Sequence, residues 1–320
     1  MALAILRSAE DWVAHFGAER KPTAVAIGNF DGLHLGHQAI LREVLRRAAA
    51  ESWMSAVLTF YPHPPRVLRP AKAPLLLCPL AQRLSGFEMI GLDAALVLRF
   101  NQQLSKLSPE EFAEKFLVET LRAKAVFVGE NFRFGYKQAG DVNLLAQLGN
   151  RWGFEACVVP PVTFDGEVVS STAIRQAVSE GRMEDAAKLM GRAYSIVGEI
   201  RTGTGQGRKL VVPTLNLATD QELLPKKGVY ATETLLGDQR FRSATNIGVR
   251  PTFDGGTGIT IESHLLDFNE LLTSGRMEVR FRTRLRDEQK FSSVEALKEQ
   301  VLKDIVQTRE YFEAHTAARR

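Results

Sequence analysis

The chain changes its hydrophobic pattern once along its length, and that change limits the folds open to it. Through the first half, short apolar runs at 23–28, 55–60, 94–100, 125–129 and 156–160 alternate with helix-like segments at 37–50, 79–90, 109–121 and 141–152. A strand buried on both faces is apolar at nearly every position. Continuous apolar runs separated by helices therefore predict a parallel sheet covered on both sides. The crossovers of such a sheet are right-handed, giving a Rossmann-like α/β domain whose ligand sits at the carboxyl ends of the strands. The third helix has a clear start. Ser108 can cap it, Pro109 occupies its first position and Glu111 can close a capping box.

From about Tyr194 the alternation stops. Six β-rich segments follow, at 194–202, 211–218, 228–236, 240–249, 259–267 and 276–285, with no helical pattern between them. That series predicts an antiparallel barrel or sandwich. A last helix is expected, with Ser292 as cap, Glu295 as its capping-box partner, and Leu297, Val301, Leu302 and Ile305 as an apolar stripe. The expected fold class is thus α/β plus β in 320 residues, with domains at 1–182 and 183–320.

Composition excludes several function classes. Residues 1–180 carry 19 lysines and arginines against 18 acidic residues, and residues 181–320 carry 22 against 19. Neither half is a polybasic nucleic-acid arm, while a net charge of +4 suits anionic substrates. Cys78 and Cys157 make neither a disulfide framework nor a zinc pattern, and both are expected to be reduced and buried. The short apolar run at 2–6 is no signal-peptide core and no stretch approaches a membrane span, so a cytoplasmic protein, monomeric or weakly self-associating, is expected.

The stretch richest in chemistry is Gly28-Asn29-Phe30-Asp31-Gly32-Leu33-His34-Leu35-Gly36-His37, between the first long strand and its helix. Its glycines permit tight turns and close approach of a ligand. A helix starting near Gly36 offers free N–H groups and a positive dipole end to phosphate. His34 and His37, three apart, can reach one side of that start and stabilise charge on a phosphoryl group. A single histidine in such a loop usually caps or packs, whereas two in a glycine-rich strand-to-helix turn point to a ligand.

The second such stretch is Gly203-Thr-Gly-Gln-Gly-Arg-Lys-Leu-Val-Val-Pro-Thr-Leu-Asn216. Its glycines invite a P-loop reading, but no Gly-Lys-Ser/Thr follows and the segment sits among strands. A plain hairpin loop is the other reading of the glycines alone. The Pro213-Thr214-Leu215-Asn216 tail adds to it: a hydroxyl and an amide two apart on an extended chain share a face, and both are oxygen donors suited to Mg²⁺ with nucleotide phosphates.

His34-x-Gly-His37 resembles the signature of nucleotidyltransferases that attack the α-phosphate of ATP or CTP. The longer run Ala26–His37 resembles the opening motif of bacterial bifunctional riboflavin kinase/FAD synthetases. Thr59-Phe-Tyr-Pro-His-Pro64, Val128-Gly-Glu-Asn-Phe-Arg-Phe-Gly135 and Ser170-Ser-Thr-Ala-Ile-Arg175 agree with it. The glycine-rich flap with Pro-Thr-x-Asn resembles the riboflavin kinase signature. The match continues through Lys227–Ala231, Asn246–Phe253, Ile261–Phe268 and Leu285–Phe291.

The resemblance implies phosphorylation of riboflavin to FMN and adenylation of FMN to FAD, with ATP as co-substrate and Mg²⁺ as cofactor. It implies that Gly28, Phe30, His34 and His37 hold ATP, that Ser171, Thr172 and Arg175 clamp its phosphates, and that His63, Asn131, Phe132 and Arg133 form the FMN side. In the kinase it implies Gly203, Gly205, Gly207, Arg208, Thr214 and Asn216 for ATP and Mg²⁺, Glu262 as general base and Arg286 for the flavin. His34, His37 and Glu262 are the catalytic set. On their residue types alone, Phe132 and Phe134 fit core packing equally well, His63 between two prolines fits a rigid turn, and a lone Glu262 on a strand fits a solvated face.

Two departures stand out. Asn131 replaces an aspartate common in the family, and Val211-Val212 replaces Gly-Phe. A β-branched residue there restricts the backbone and brings bulk towards ATP, which implies slower or altered ATP use. A lone adenylyltransferase is disfavoured by the presence of Thr214, Asn216 and Glu262. A flavin-binding regulator is disfavoured by the retained histidines and glutamate, and RNA binding by the lack of a dense basic face.

Overall fold

Alternate residues of the central strands face opposite ways, and in the first half both faces are apolar. The computed structural model, which describes residues 2–201, 212–251, 257–268, 270 and 272–317, forms these strands into one parallel sheet. Its strands are β1 (Ala4–Leu6), β2 (Thr23–Ile27), β3 (Met54–Tyr61), β4 (Ala94–Arg99), β5 (Ala123–Gly129) and β6 (Glu155–Val159), in the order β1-β4-β3-β2-β5-β6. All five residues of β2 are buried. Ala24 and Ala26 face one cluster and Val25 and Ile27 the other.

Helices cover both faces. The accompanying helices are α1 (Ala9–Phe16), α2 (Leu35–Glu51), α3 (Pro64–Leu68), α4 (Leu80–Ile90), α5 (Pro109–Phe112) and α6 (Val142–Trp152). Leu41, Val44 and Ala48 of α2 and Leu84 and Phe87 of α4 close one face, and α1, α5 and α6 contribute Trp12, Phe112 and Leu145 to the other. The capping box at Ser108 and Glu111 forms as expected, and the chain winds on from α5 as a π-helix over Ala113–Thr120. There Thr120 Oγ1 donates to the Lys115 carbonyl at 2.7 Å. β1 and the small hairpin of β7 (Thr163–Phe164) and β8 (Glu167–Val168) were not expected, since runs of two or three residues carry no period, and the eight-residue α1 was not expected either.

The chain proceeds from β2 through β3 to β4 on one side of the sheet. It then crosses back to place β5 on the other side of β2. That reversal makes the carboxyl ends of β2 and β5 the topological switch point, where open α/β sheets bind ligands.

The second half closes into an antiparallel barrel. Its strands are β9 (Ser195–Arg201), β10 (Leu215–Ala218), β11 (Gly228–Leu236), β12 (Gln239–Pro251), β13 (Thr257–Leu265) and β14 (Arg276–Arg286), in the order β10-β13-β12-β11-β14-β9. Among its buried side chains are five hydroxyls that satisfy one another: Thr232 bonds Ser243 and Thr245 at 2.8 and 2.6 Å, Thr234 bonds Ser243 at 2.8 Å, and Thr245 bonds Ser263 at 2.7 Å. Pairing removes the penalty that buried hydroxyls otherwise carry.

The chain's compact units are Met1–Ser170 and Ser171–Arg320, an earlier division than the expected 182/183. The difference is α7 (Ser171–Glu180), which packs on α8 (Met183–Met190), itself packed on β14. The last helix, α9, is Val294–Ala317. Its start differs from expectation by one residue. Ser293, not Ser292, accepts from Ala296 N at 3.1 Å, so Glu295 is not a capping-box partner of Ser292. Leu302 leaves the expected stripe and is exposed, as 3.6 residues per turn places it outside the face held by Leu297, Val301 and Ile305. Cys78 is buried, but Cys157 at the edge strand is only partly so. Burial and the neighbouring Glu155 push the Cys157 thiol up to about 11.

Candidate functional site

The first site grows out of the corner between β2 and α2. Phe30 (φ 51°), Gly32 (φ 82°) and Leu33 (φ 44°) all take left-handed backbone, which folds the loop back over the strand end. Gly32 has no alternative: a Cβ there would lie 2.6 Å from Leu77 Cδ1. The Asp31 carboxylate, almost fully buried, accepts from the Leu77 and Cys78 amides at 3.0 and 3.3 Å and ties the corner to the chain ahead of α4.

His34 is the N-cap of α2, and its Nδ1 accepts from His37 N at 3.3 Å. An accepting Nδ1 carries no proton, so in neutral His34 the proton sits on Nε2. The two imidazoles stack at 3.6 Å, inclined by 21°. Burial, then the charges of His34 and Arg83, hold His37 well below the ordinary 6.5, so it is a neutral donor at neutral pH. No acidic residue occupies the first turn of α2. Its first N–H groups and positive dipole end are left to an anion.

Phe30 is buried, with its ring edge-on to His37 at 5.2 Å and to Phe87 at 5.6 Å. It supports His37 rather than presenting a face of its own. Gly28 lets that ring in, since a Cβ would meet it at 3.2 Å. Beyond β5, Asn131 and Arg133 are exposed, and Arg133 pairs with Asp141 at 3.1 Å. Phe134 is core, and Phe132, partly buried, stacks on it at 5.4 Å and 13°. His63 is buried ahead of α3. Ser171, Thr172 and Arg175 open α7, in the second unit.

The second site lies on the barrel. Asn216 of β10 and Asn246 of β12 stand directly opposite Glu262 of β13, one on each side. Directly opposed residues on one face hold their Cβ atoms about 4.5–5.5 Å apart. A cavity of about 310 Å³ opens in front of Asn246 and Glu262, lined also by Thr214 and Arg286 and walled by α9 through Leu297 and Val301. His264 Nδ1 meets the Pro213 carbonyl at 2.8 Å and fixes the stretch that carries Thr214.

Arg286 forks onto Asp304 of α9 at 2.8 and 2.7 Å, and its guanidinium lies 5.8 Å from the centre of the Phe291 ring. Glu288 Oε1 accepts from Val249 N at 3.1 Å. The loop between β14 and α9 is thereby tied to both walls of the cavity. Gly203, Gly205, Gly207, Arg208 and Val211 lie outside the described residues, while Val212 lines the cavity. The sequence reading assigned no role to Arg83, Asn246, His264, Glu288 or Asp304. The last lies on a helix face whose apolar pattern concealed it.

A parallel α/β unit with a histidine pair at a helix start, followed by a barrel with a glutamate flanked by amides, defines a two-module phosphate-transfer enzyme. The family model for FAD synthetase matches residues 17–173 and that for riboflavin kinase residues 190–312. The chain belongs to the bifunctional riboflavin kinase/FMN adenylyltransferase family. It is 38% identical to the Pseudomonas fluorescens member across 91% of this chain and 93% of that one. To the Escherichia coli K12 member it is 35% identical across 92% and 94%. A crystal structure described as a macrolide-efflux protein from Streptococcus pneumoniae superposes with TM-score 0.84 at 28% identity, covering 97% of this chain and 99% of that one.

Proposed function

We propose that the barrel phosphorylates riboflavin to FMN and that the α/β module transfers AMP from ATP to FMN, giving FAD and pyrophosphate. The chain is a riboflavin kinase and an FMN adenylyltransferase by family. The observation that carries the kinase reading is the row Asn216–Glu262–Asn246 beside the cavity. Glu262 takes the proton of the riboflavin 5′-hydroxyl as its oxygen attacks the γ-phosphorus of ATP, and the bond from that phosphorus to the bridging oxygen breaks to release ADP. Arg286, held by Asp304, sets the loop against the flavin.

Mg²⁺ fits the kinase side. Thr214 and Asn216 offer neutral oxygen donors next to a carboxylate, the set a hard cation takes together with nucleotide phosphates. Among the described residues no cluster of three or more His, Cys, Asp or Glu forms a self-sufficient metal cage. The ion would supply charge neutralisation for the phosphates.

In the α/β module the FMN phosphate is itself the nucleophile, so the protein contributes position and charge. His34 Nε2–H, the neutral His37 and the start of α2 face the phosphates; the role of Ser171, Thr172 and Arg175 in holding phosphate rests on the family likeness of their motif alone. His63, Asn131, Phe132 and Arg133 border the flavin. In this reading the adenylyltransferase module spans 1–182 and the kinase 183–320, a division that the gap between the two family matches, 17–173 and 190–312, supports. The substrates are small molecules handled in the cytoplasm, without nucleic acid or membrane. No described helix is long and apolar enough to cross a membrane. Incubation with riboflavin, ATP and Mg²⁺ followed by separation of the flavins is the test. FMN and FAD together support the proposal, and absence of both ends it.

A further inference from the structure

Arg83, on the first turns of α4, is the most isolated buried charge of the α/β unit. It is fully buried. Its Nη1 donates to the Asn29 carbonyl at 2.6 Å. Its Nε and Nη2 have no hydrogen-bond partner among the described residues, and no carboxylate pairs with it. A buried guanidinium without an anion is costly, and proteins keep such groups where something else completes them.

Its surroundings say what. Asn29 Oδ1 and His37 Nδ1 are also buried and unpartnered. All three groups belong to the same corner, because Arg83 holds Asn29 and its charge reaches His37. α2 and α4 share one face of the sheet, with Phe30 packed between His37 and Phe87 of α4. The two unused N–H groups of the Arg83 guanidinium, beside a helix start, define a site for an oxyanion, and a guanidinium fork matches phosphate geometry.

We propose that Arg83 is a further phosphate-binding residue of the adenylyltransferase: one N–H fixes the Asn29 carbonyl, and the remaining donors take oxygens of the nucleotide's polyphosphate. The inference rests on the adenylyltransferase reading of this corner. It differs from the role of a structural strut, which would need only the bond to Asn29. Arg83 also acts from α4, outside every motif that carries the family likeness.

Three preparations of the full chain decide it: wild type, R83M and R83K. Inorganic tripolyphosphate and adenosine serve as separate binding probes, thermal unfolding follows each, and kinase activity on riboflavin reports an intact barrel. R83M is expected to keep kinase activity and the unliganded Tm, since an uncompensated buried charge is removed. It is expected to lose the tripolyphosphate-induced rise in Tm, retain adenosine binding, and adenylate FMN at least ~100-fold more slowly, the scale of losing a preorganised charge donor. R83K is expected to fall between R83M and wild type. A lowered Tm with undiminished tripolyphosphate binding overturns the proposal and makes Arg83 a strut, as does wild-type adenylation by R83M. If the wild type makes no FAD yet binds tripolyphosphate through Arg83, the adenylyltransferase reading fails and the anion site stands.

Discussion

Glu262 and Asn216 are direct cross-strand partners on β13 and β10, with Asn216 two residues along the chain from Thr214. Two β-strands that read in sequence as unrelated thus place a carboxylate beside an amide and a hydroxyl.

A base acting on a hydroxyl is lost when its carboxylate becomes an amide of the same shape. E262Q is therefore expected to reduce riboflavin phosphorylation by about 10²–10⁴-fold. Conversion of supplied FMN to FAD should stay at the wild-type rate. Chromatographic assay of each half-reaction separates the two. An equal fall in both would instead mean a folding defect.

His37 gives the α/β unit a pH dependence. Its folded value lies well below the ordinary 6.5, chiefly through burial. The unfolded chain therefore binds the proton first as the medium is acidified. Stability is full above about 6.5 and falls as pH drops from there towards the folded value, by up to about 1.4 kcal/mol per pH unit. Below the folded value this contribution levels off. Urea unfolding from pH 7.5 to 5, followed by a signal of the α/β unit, should show this slope, and H37Q should flatten it. A slope unchanged in H37Q would assign the effect elsewhere.

The architecture could be read in the sequence because its cause is periodic. Continuous apolar strands, the capping box at Ser108 and the uninterrupted β-series each state their element locally. The site could be read only in part. His34 and His37 announce themselves by spacing on one turn. The pairing of Glu262 with Asn216 depends on barrel register, which no local pattern encodes. Arg83 and Asp304 were missed because each sits within an amphipathic helix, where a charged residue normally faces solvent. Phe30 shows what a motif leaves open: the left-handed turn at its own φ of 51° buries its ring against His37 and Phe87, a packing that no local pattern announces.

Asp304 has only 5% of its side chain exposed and receives both arms of Arg286 as well as Gln300 Nε2 at 3.0 Å. D304A leaves the guanidinium buried without its anion, a change that costs about 3–5 kcal/mol when one partner of a buried pair is removed. The barrel should unfold at lower denaturant while the α/β unit keeps its transition. At temperatures where D304A remains folded, the KM for riboflavin should rise more than kcat falls, because the loop bearing Glu288 and Phe291 loses its anchor on α9. Differential scanning calorimetry and kinase kinetics check the two halves. An unchanged KM would show that the pair stabilises the barrel without shaping the flavin side.

The other anchor of that loop tests the same idea without altering any charge. Gly248 on β12 leaves room for Glu288: a Cβ there would stand 2.6 Å from Glu288 Oε1 and 3.0 Å from Asn246 Nδ2. Both atoms end movable side chains, so G248A can fold by pushing them aside rather than by breaking the strand. Displacing Glu288 breaks its bond from Val249 N, and shifting Asn246 disturbs the residue opposite Glu262. The expected result is a kinase slowed about tenfold, the effect of losing roughly 1.4 kcal/mol of transition-state stabilisation, with adenylation of FMN untouched. E288A removes the obstacle as well as the tie. If the clash itself is what displaces Asn246, G248A/E288A should recover part of the rate lost by G248A alone. Strictly additive losses in the double variant would instead place the damage in the backbone of β12.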